Sequence, residues 1–445
     1  MPQIHQCHQF SPEETYQYLK TYMTFKNYSK YHLSIFARQI AEFNELPERQ
    51  QNYVPDFIKN VHKKMACVQQ NQKILDKILE ISGAEEMCDR IGMDYVRPAT
   101  GSKRSRTAKS ELFDEVTPAK KPKLSVDEFL RQKLNKEIKT NCLEFEKIEK
   151  MVIHQLYREW SANGKFDRDS AFEPILNYLS ENMKEIKTTF DQSPKLKVLI
   201  PGCGTGRLNI EIAEKFEIPV IGNEYSLFTI WLSKFVLSSK FTDMKQNYQI
   251  YPWIHSSSNK TSIESSTRQI NFPDLNQQAF EKVSDKNLLS MHCGNFLQIF
   301  NKDGKCCDDD QRNQKFPIVI TCWFIDTARN LIEYLETIYN LLPEKGVWLN
   351  IGPLYYHFEK ENRVNLGNLN DQGTKRKITS PFYPDEKLKS FGSVEFTLEQ
   401  VIEIIGKIGF EFKIRPEKKR LRYSLDEESM MKTFFDGYFW VCTKK

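Results

Sequence analysis

Residues 198–206 read Val-Leu-Ile-Pro-Gly-Cys-Gly-Thr-Gly, and Glu224 follows about twenty residues later. An apolar run opens into a glycine loop. Leu208–Phe216 can then form a helix, and a second apolar run, Ile218–Gly222, leads to the acid. This succession belongs to open α/β sheets, which bind ligands at the carboxyl ends of their strands. Glycines let the backbone approach the ligand, and a later carboxylate takes ribose hydroxyls. The feature therefore predicts an adenosyl cofactor. Gly202, Gly204 and Gly206 form G-x-G-x-G rather than the dinucleotide G-x-G-x-x-G, with Arg207 next. A dinucleotide loop sets a helix N-terminus against a pyrophosphate. S-adenosyl-L-methionine has no phosphate, and its loop passes the methionine moiety instead. The early third glycine favours S-adenosylmethionine over a nicotinamide cofactor.

The pattern around the loop predicts an α/β, Rossmann-like sheet with a helical N-terminal region. Strands are expected at 197–200, 218–222, 289–292, 317–322, 346–351, 409–414 and 437–442. Helices are expected at 206–216, 226–238, 327–342 and 397–407. Alternating units imply a mostly parallel sheet, and the two strands near the end of the chain suggest an antiparallel edge hairpin. Residues 1–96 form a helical N-terminal region. Ser11-Pro12-Glu13-Glu14 is a helix start, and Tyr16, Leu19, Tyr22 and Met23 recur at helical spacing. Residues 97–124 are polar and basic, a disordered linker by composition. Within it Lys120-Lys121-Pro122-Lys123 reads either as a nuclear-import signal or as a solvated insert. Residues 125–194 are a helical segment contributing to the cofactor site. Residues 195–445 carry the sheet, with a polar insertion at 360–392.

Composition excludes several classes. A net charge of +5 on 445 residues is mild and sits largely in the linker. Ten cysteines include no Cys-x-x-Cys pair, which gives a zinc or redox motif little support. His5-Gln6-Cys7-His8 resembles a metal tract but falls on a terminus expected to be mobile. No apolar leader or run of spanning length occurs, so a soluble, reduced, cytoplasmic chain is expected, with nuclear entry open through the basic cluster.

Later segments add specificity. Cys293-Gly294-Asn295-Phe296 ends an apolar strand where a polar residue could meet an adenine amino group and Phe296 could pack the ring. Ile318 through Asp326 ends another strand with an acid. Ile200–Leu208, Gly222–Ser226, Tyr251-Pro252-Trp253-Ile254-His255 and Phe272-Pro273-Asp274 are distinctive. So are Cys322–Ala328, Asn350–Phe358 and Ser429–Lys432. In these segments the chain resembles the carnosine N-methyltransferase family of class I, S-adenosylmethionine-dependent enzymes, over roughly 125–445. The resemblance implies methylation of the imidazole of carnosine, a histidine dipeptide, to give anserine. It places Gln155 and Arg158 at the cofactor carboxylate, Gly202 and Gly204 in the loop, and Glu224 at the ribose. Asn295, Phe296 and Cys322 surround the adenine and its neighbours. Asp326 and His357 face the imidazole as catalytic residues, and Tyr423 and Phe435 border the substrate. Asn295 stands where the family usually has aspartate, and Thr433 and Phe435 where it tends to have tyrosines. The implied partner is a small dipeptide; membrane and nucleic acid are not expected, and a homodimer is compatible.

The chemistry agrees. A carboxylate that accepts the imidazole N–H fixes the tautomer and balances the positive charge that develops on methylation. Asp326 suits that role better than the other reading, in which Asp326-Thr327 caps the following helix. His357 could orient the substrate or be a core histidine. Trp253 and His255 read as shaping residues. Two alternatives stay open: a methyltransferase of the same fold acting on a peptide or protein histidine or RNA, and a non-catalytic nuclear interaction protein.

Overall fold

The computed structural model describes residues 3–6, 11–91, 126–140, 142–191, 194–238, 248–275, 277–301, 314–359 and 393–445. The linker at 97–124, the insertion at 360–392, Cys306–Cys307, and Cys7 with His8 lie outside them. The strands are β1 (Gln3–Gln6), β2 (Val198–Pro201), β3 (Val220–Glu224), β4 (Tyr248–Ile250) and β5 (Ile270–Phe272). They continue with β6 (Leu289–Cys293), β7 (Ile318–Cys322), β8 (Val347–Gly352), β9 (Phe410–Arg422) and β10 (Phe434–Lys444).

Eight strands form one sheet in the order β1-β6-β3-β2-β7-β8-β10-β9, and β4 pairs with β5 in a separate ribbon. Neighbours from β1 to β8 run parallel. β10 runs antiparallel to both β8 and β9. β2 and β8 are buried along their whole length, which is why they read as continuous apolar runs. The predicted mostly parallel sheet is present, and the strand insertion of β10 between β8 and β9 makes the final hairpin.

The departures have physical reasons. The strand expected at 409–414 extends to Arg422, and its outer half alternates Glu, Lys and Arg. Charged edge strands protect a sheet from unwanted pairing and carry little apolar signal. β4 and β5 are three residues each, too short for periodicity. The helix expected from 327 begins at Leu331, where the Asn330 Oδ1 accepts from the Glu333 N–H at 3.4 Å. The terminus expected to be mobile includes β1, whose backbone lines the β6 edge.

The N-terminal helix runs Pro12–Asn44, with the Ser11–Glu14 capping box its sequence announces. It packs beside a helix at Phe57–Ser82 and covers the sheet helix Leu227–Val236. Tyr18 and Phe25 meet Trp231 at 5.0 and 5.4 Å between ring centroids, and Phe25 stacks on Phe228 at 5.8 Å. Among the described residues no helix is long and apolar enough to cross a membrane.

Candidate active site

Because β2, β3, β6, β7 and β8 run parallel, their carboxyl ends share one edge of the sheet. The register of β10 brings the hairpin there too. Tyr438 pairs with Gly352 at the end of β8, so Phe435 projects past that end, and Phe434 pairs with Arg422, just before Tyr423. Sequence-distant residues thus meet by topology alone.

The glycine loop leaves β2 with Gly202, Gly204 and Gly206 all at positive φ, between 60 and 84°. A Cβ on Gly202 would stand 2.4 Å from the Phe324 ring, so the position admits no side chain. The Gly204 N–H donates to the Glu224 Oε2 at 3.2 Å, and the N–H groups of Tyr225 and Ser226 donate to its Oε1 at 2.7 and 2.8 Å. The acid therefore ties the loop to the end of β3. Burial raises its pKa, and the three N–H donors oppose that rise. Each carboxylate oxygen offers two acceptor positions; Oε1 is filled and Oε2 keeps one, which can take a ribose hydroxyl.

The helix His154–Trp160 stands across from the loop. Thr205 Oγ1 accepts from the Trp160 indole N–H at 2.8 Å and donates to Glu159, which also pairs with Arg158. Gln155 and Arg158 lie three residues apart, on one helix face. The Gln155 Oε1 and the Arg158 Nη1 are both buried with no hydrogen-bond partner. Unpaired buried polar atoms cost about 1–3 kcal/mol each. A carboxylate and an ammonium, as an amino-acid ligand carries, would satisfy this acceptor and this donor together, so the residues fit the methionine end of S-adenosylmethionine.

Asp274 anchors this arrangement from below. It accepts from Arg168 at 2.5 Å and from Arg207 at 2.6 Å, and its own N–H donates to the Trp160 carbonyl at 2.9 Å. Nothing in the sequence marks Glu159 for Thr205, or Asp274 for Arg168 and Arg207, since those partners are remote in the chain.

The other predicted residues divide. Asn295 caps the short helix Phe296–Phe300, its Oδ1 accepting from Leu297 and Gln298 at 3.0 and 3.3 Å. Phe296 is 3% exposed and packs on Phe324 and Tyr334, at 5.4 and 5.3 Å, so its ring stands behind the loop-facing Phe324. Cys322 ends β7 within the field of the Arg158 guanidinium, and burial pushes its thiol up to about 12. Trp253 packs on His154 and Tyr157, at 5.1 and 5.0 Å.

Asp326 lies in a 3-10 turn, Ile325–Thr327, and does not cap the next helix. It is 4% exposed, its Oδ2 accepts the Tyr355 N–H at 2.9 Å, and burial pushes its pKa up to about 7. Its carbonyl accepts the His357 N–H at 3.2 Å, which brings the loop after β8 against it. The His357 side chain is exposed, yet neighbouring protein atoms hold its pKa below the ordinary value by desolvation.

Four aromatics rim this end. Trp323 meets Tyr423 at 5.0 Å and Phe435 at 5.4 Å, and Tyr355 meets Phe435 at 6.0 Å. The Arg158 guanidinium lies over the Tyr423 ring at 4.1 Å, linking the rim to the donor side. Trp323 holds φ at 56°, a strained conformation for a bulky residue and one that clusters at functional sites. The sequence gives no sign of it.

A sheet whose last strand turns antiparallel, with a glycine loop clasped by the next strand's acid, defines a class I S-adenosylmethionine-dependent methyltransferase. The profile of one such family, carnosine N-methyltransferase, matches residues 134–445, and the chain belongs to that family. It is 29% identical over 407 residues to the carnosine N-methyltransferase of Rattus norvegicus, covering 92% of this chain and 80% of that one. The Schizosaccharomyces pombe carnosine N-methyltransferase is 32% identical over 292 residues, covering 65% and 69%. Among solved structures, a magnesium protoporphyrin IX methyltransferase from Synechocystis is 10% identical with a TM-score of 0.32, covering 66% and 89%.

Proposed function

We propose that this chain transfers the methyl group of S-adenosylmethionine to an imidazole nitrogen of carnosine, giving anserine. Family membership supports the acceptor, and the observation that carries the chemistry is Asp326. Its buried carboxyl sits at the end of β7 beside the aromatic rim, and among the described residues only the Tyr355 N–H donates to it from another residue. Bound S-adenosylmethionine supplies a methyl group already activated on a sulfonium sulfur. Gln155 and Arg158 hold its amino-acid end, and Glu224 takes its ribose. Gly202, having no side chain, lets the Phe324 ring close against the loop.

The acceptor side follows from proton placement. In its ionised form Asp326 accepts the N–H of a neutral imidazole and so leaves the other nitrogen's lone pair free to react. As that ring gains positive charge, the carboxylate stabilises it in a site of low dielectric. Trp323, Tyr423, Phe435 and Tyr355 stack on a flat ring and exclude water. His357 orients the dipeptide at the mouth. We place the protein in the cytoplasm, with Lys120-Lys121-Pro122-Lys123 giving nuclear access.

The test uses full-length protein with radiolabelled S-adenosylmethionine and, separately, carnosine, a histidine-containing peptide and total RNA. Label should reach carnosine and fall about a hundredfold or more in Asp326→Asn. Label that reaches only peptide or RNA would overturn the acceptor. Absence of cofactor binding by calorimetry would overturn the enzyme reading as a whole.

A further inference from the structure

A second constellation lies in the seam between the N-terminal helices and the start of the cofactor helix. His32 comes from the middle of Pro12–Asn44, and Glu149 opens a π-helical turn at Glu149–Ile153. His255 ends the Tyr251–His255 segment. Single π turns inside helices often mark functional positions. This one runs straight into His154–Trp160, which carries Gln155 and Arg158.

The three side chains converge without bonding to one another. His32 Nε2 stands 3.5 Å from one Glu149 oxygen, and His255 Nδ1 stands 3.8 Å from the other. All three groups lie within 4.8 Å of each other. These separations exceed a hydrogen bond. They approach the spacing of about 3.3 Å between ligands placed 2.0–2.1 Å from a tetrahedral ion. His32 is 3% exposed, and its Nε2, aimed into the cluster, has no hydrogen-bond partner.

The outer contacts suit the same arrangement. His255 uses its Nε2 on the Tyr28 hydroxyl at 2.7 Å and has the Pro252 backbone carbonyl beside its ring, while its Nδ1 faces the Glu149 carboxylate. Tyr28 also accepts from Asn71 at 3.2 Å, and Asn71 is fixed by the Tyr251 carbonyl and N–H at 2.9 and 2.8 Å. A ligating histidine is commonly oriented through its second nitrogen by an oxygen in this way.

We infer that His32 Nε2, His255 Nδ1 and the Glu149 carboxylate form a site for a divalent transition-metal ion of the zinc class. Water completes the coordination. Two imidazoles and a carboxylate suit that ion by ligand type and number. The ion joins the N-terminal helix, the π turn and the 251–255 segment, and so fixes the start of the helix that holds the cofactor.

The test is made on the full chain, stripped with a chelator and dialysed. Cobalt(II) is added and followed by its visible ligand-field bands, then displaced with zinc. One equivalent should bind, without a thiolate charge-transfer band, and affinity should fall at least tenfold in Glu149→Gln and in His32→Gln. X-ray absorption of the zinc-loaded wild type should show nitrogen and oxygen ligands with imidazole scattering, whether or not the variants fold. Absence of ligand-field bands, sulfur scattering, or binding unchanged in both folded variants overturns the site.

Discussion

At the scale of single residues, Asp326 governs the pH response. Its folded pKa of about 7 lies above that of an exposed aspartate, so the folded state binds more protons between about 4 and 7. Stability from this group is therefore greatest below that window and falls as pH rises through it. Asp326→Asn should raise the thermal midpoint at pH 8, by up to about 4 kcal/mol in stability, with the gain fading toward pH 4. Calorimetry at both pH values checks this, and a gain that grew on acidification would reverse the sign. On the proposed mechanism the same group shapes turnover: Asp326 and the acceptor imidazole both lose a proton, so kcat/KM should fall with a limiting slope of about two below neutrality and about one in Asp326→Asn. Gln155→Ala removes a buried unpaired acceptor, a gain that offsets the packing lost with the side chain. It should weaken cofactor binding about tenfold in calorimetry while leaving the unfolding midpoint nearly unchanged. Asp326 was legible as an acid closing an apolar strand, and only Asn330 in the capping position decides against its second reading. Trp323 was not legible, because its place depends on a left-handed backbone that tertiary contacts impose.

At the scale of elements, the cofactor helix is positioned more by charge than by its own sequence. Asp274 is the shared partner of Arg168 and Arg207, whose side chains are 3% and 8% exposed. Asp274→Asn leaves the buried Arg168 guanidinium facing a neutral amide, while Arg207 keeps Glu211 at 2.8 Å. It should cost about 3–5 kcal/mol in urea unfolding and loosen cofactor binding with it. A loss of binding at unchanged stability would instead make Asp274 a direct ligand. The apolar strands β2, β3, β7 and β8 were readable from composition because both of their faces are covered. β9 was readable only where it is apolar, since its solvent-facing half spends its residues on charge. The π turn at Glu149–Ile153 was not readable, because a one-residue change in hydrogen-bond ladder leaves no mark on periodicity.

At the scale of the whole molecule, the N-terminal helices behave as a layer of the catalytic body. Helical periodicity predicted them; their docking on Trp231 and Phe228 was hidden, because an apolar stripe does not name its partner. Phe25 is fully buried in that contact. Phe25→Ala should lower stability by about 3–5 kcal/mol and shift the main unfolding transition. A separate early transition with the sheet unaffected would mean that the layer folds on its own. Deleting residues 100–123 should leave methyl transfer intact and alter distribution in the cell, which a fluorescent fusion would report. The aromatic rim has a longer-range meaning. Trp323, Tyr355, Tyr423 and Phe435 come from loops and the final hairpin, while the donor side rests on one helix and one glycine loop. Inherited change can therefore reshape what is accepted without relearning how the methyl group is delivered, and lineages built on this frame can diversify their acceptors one loop at a time.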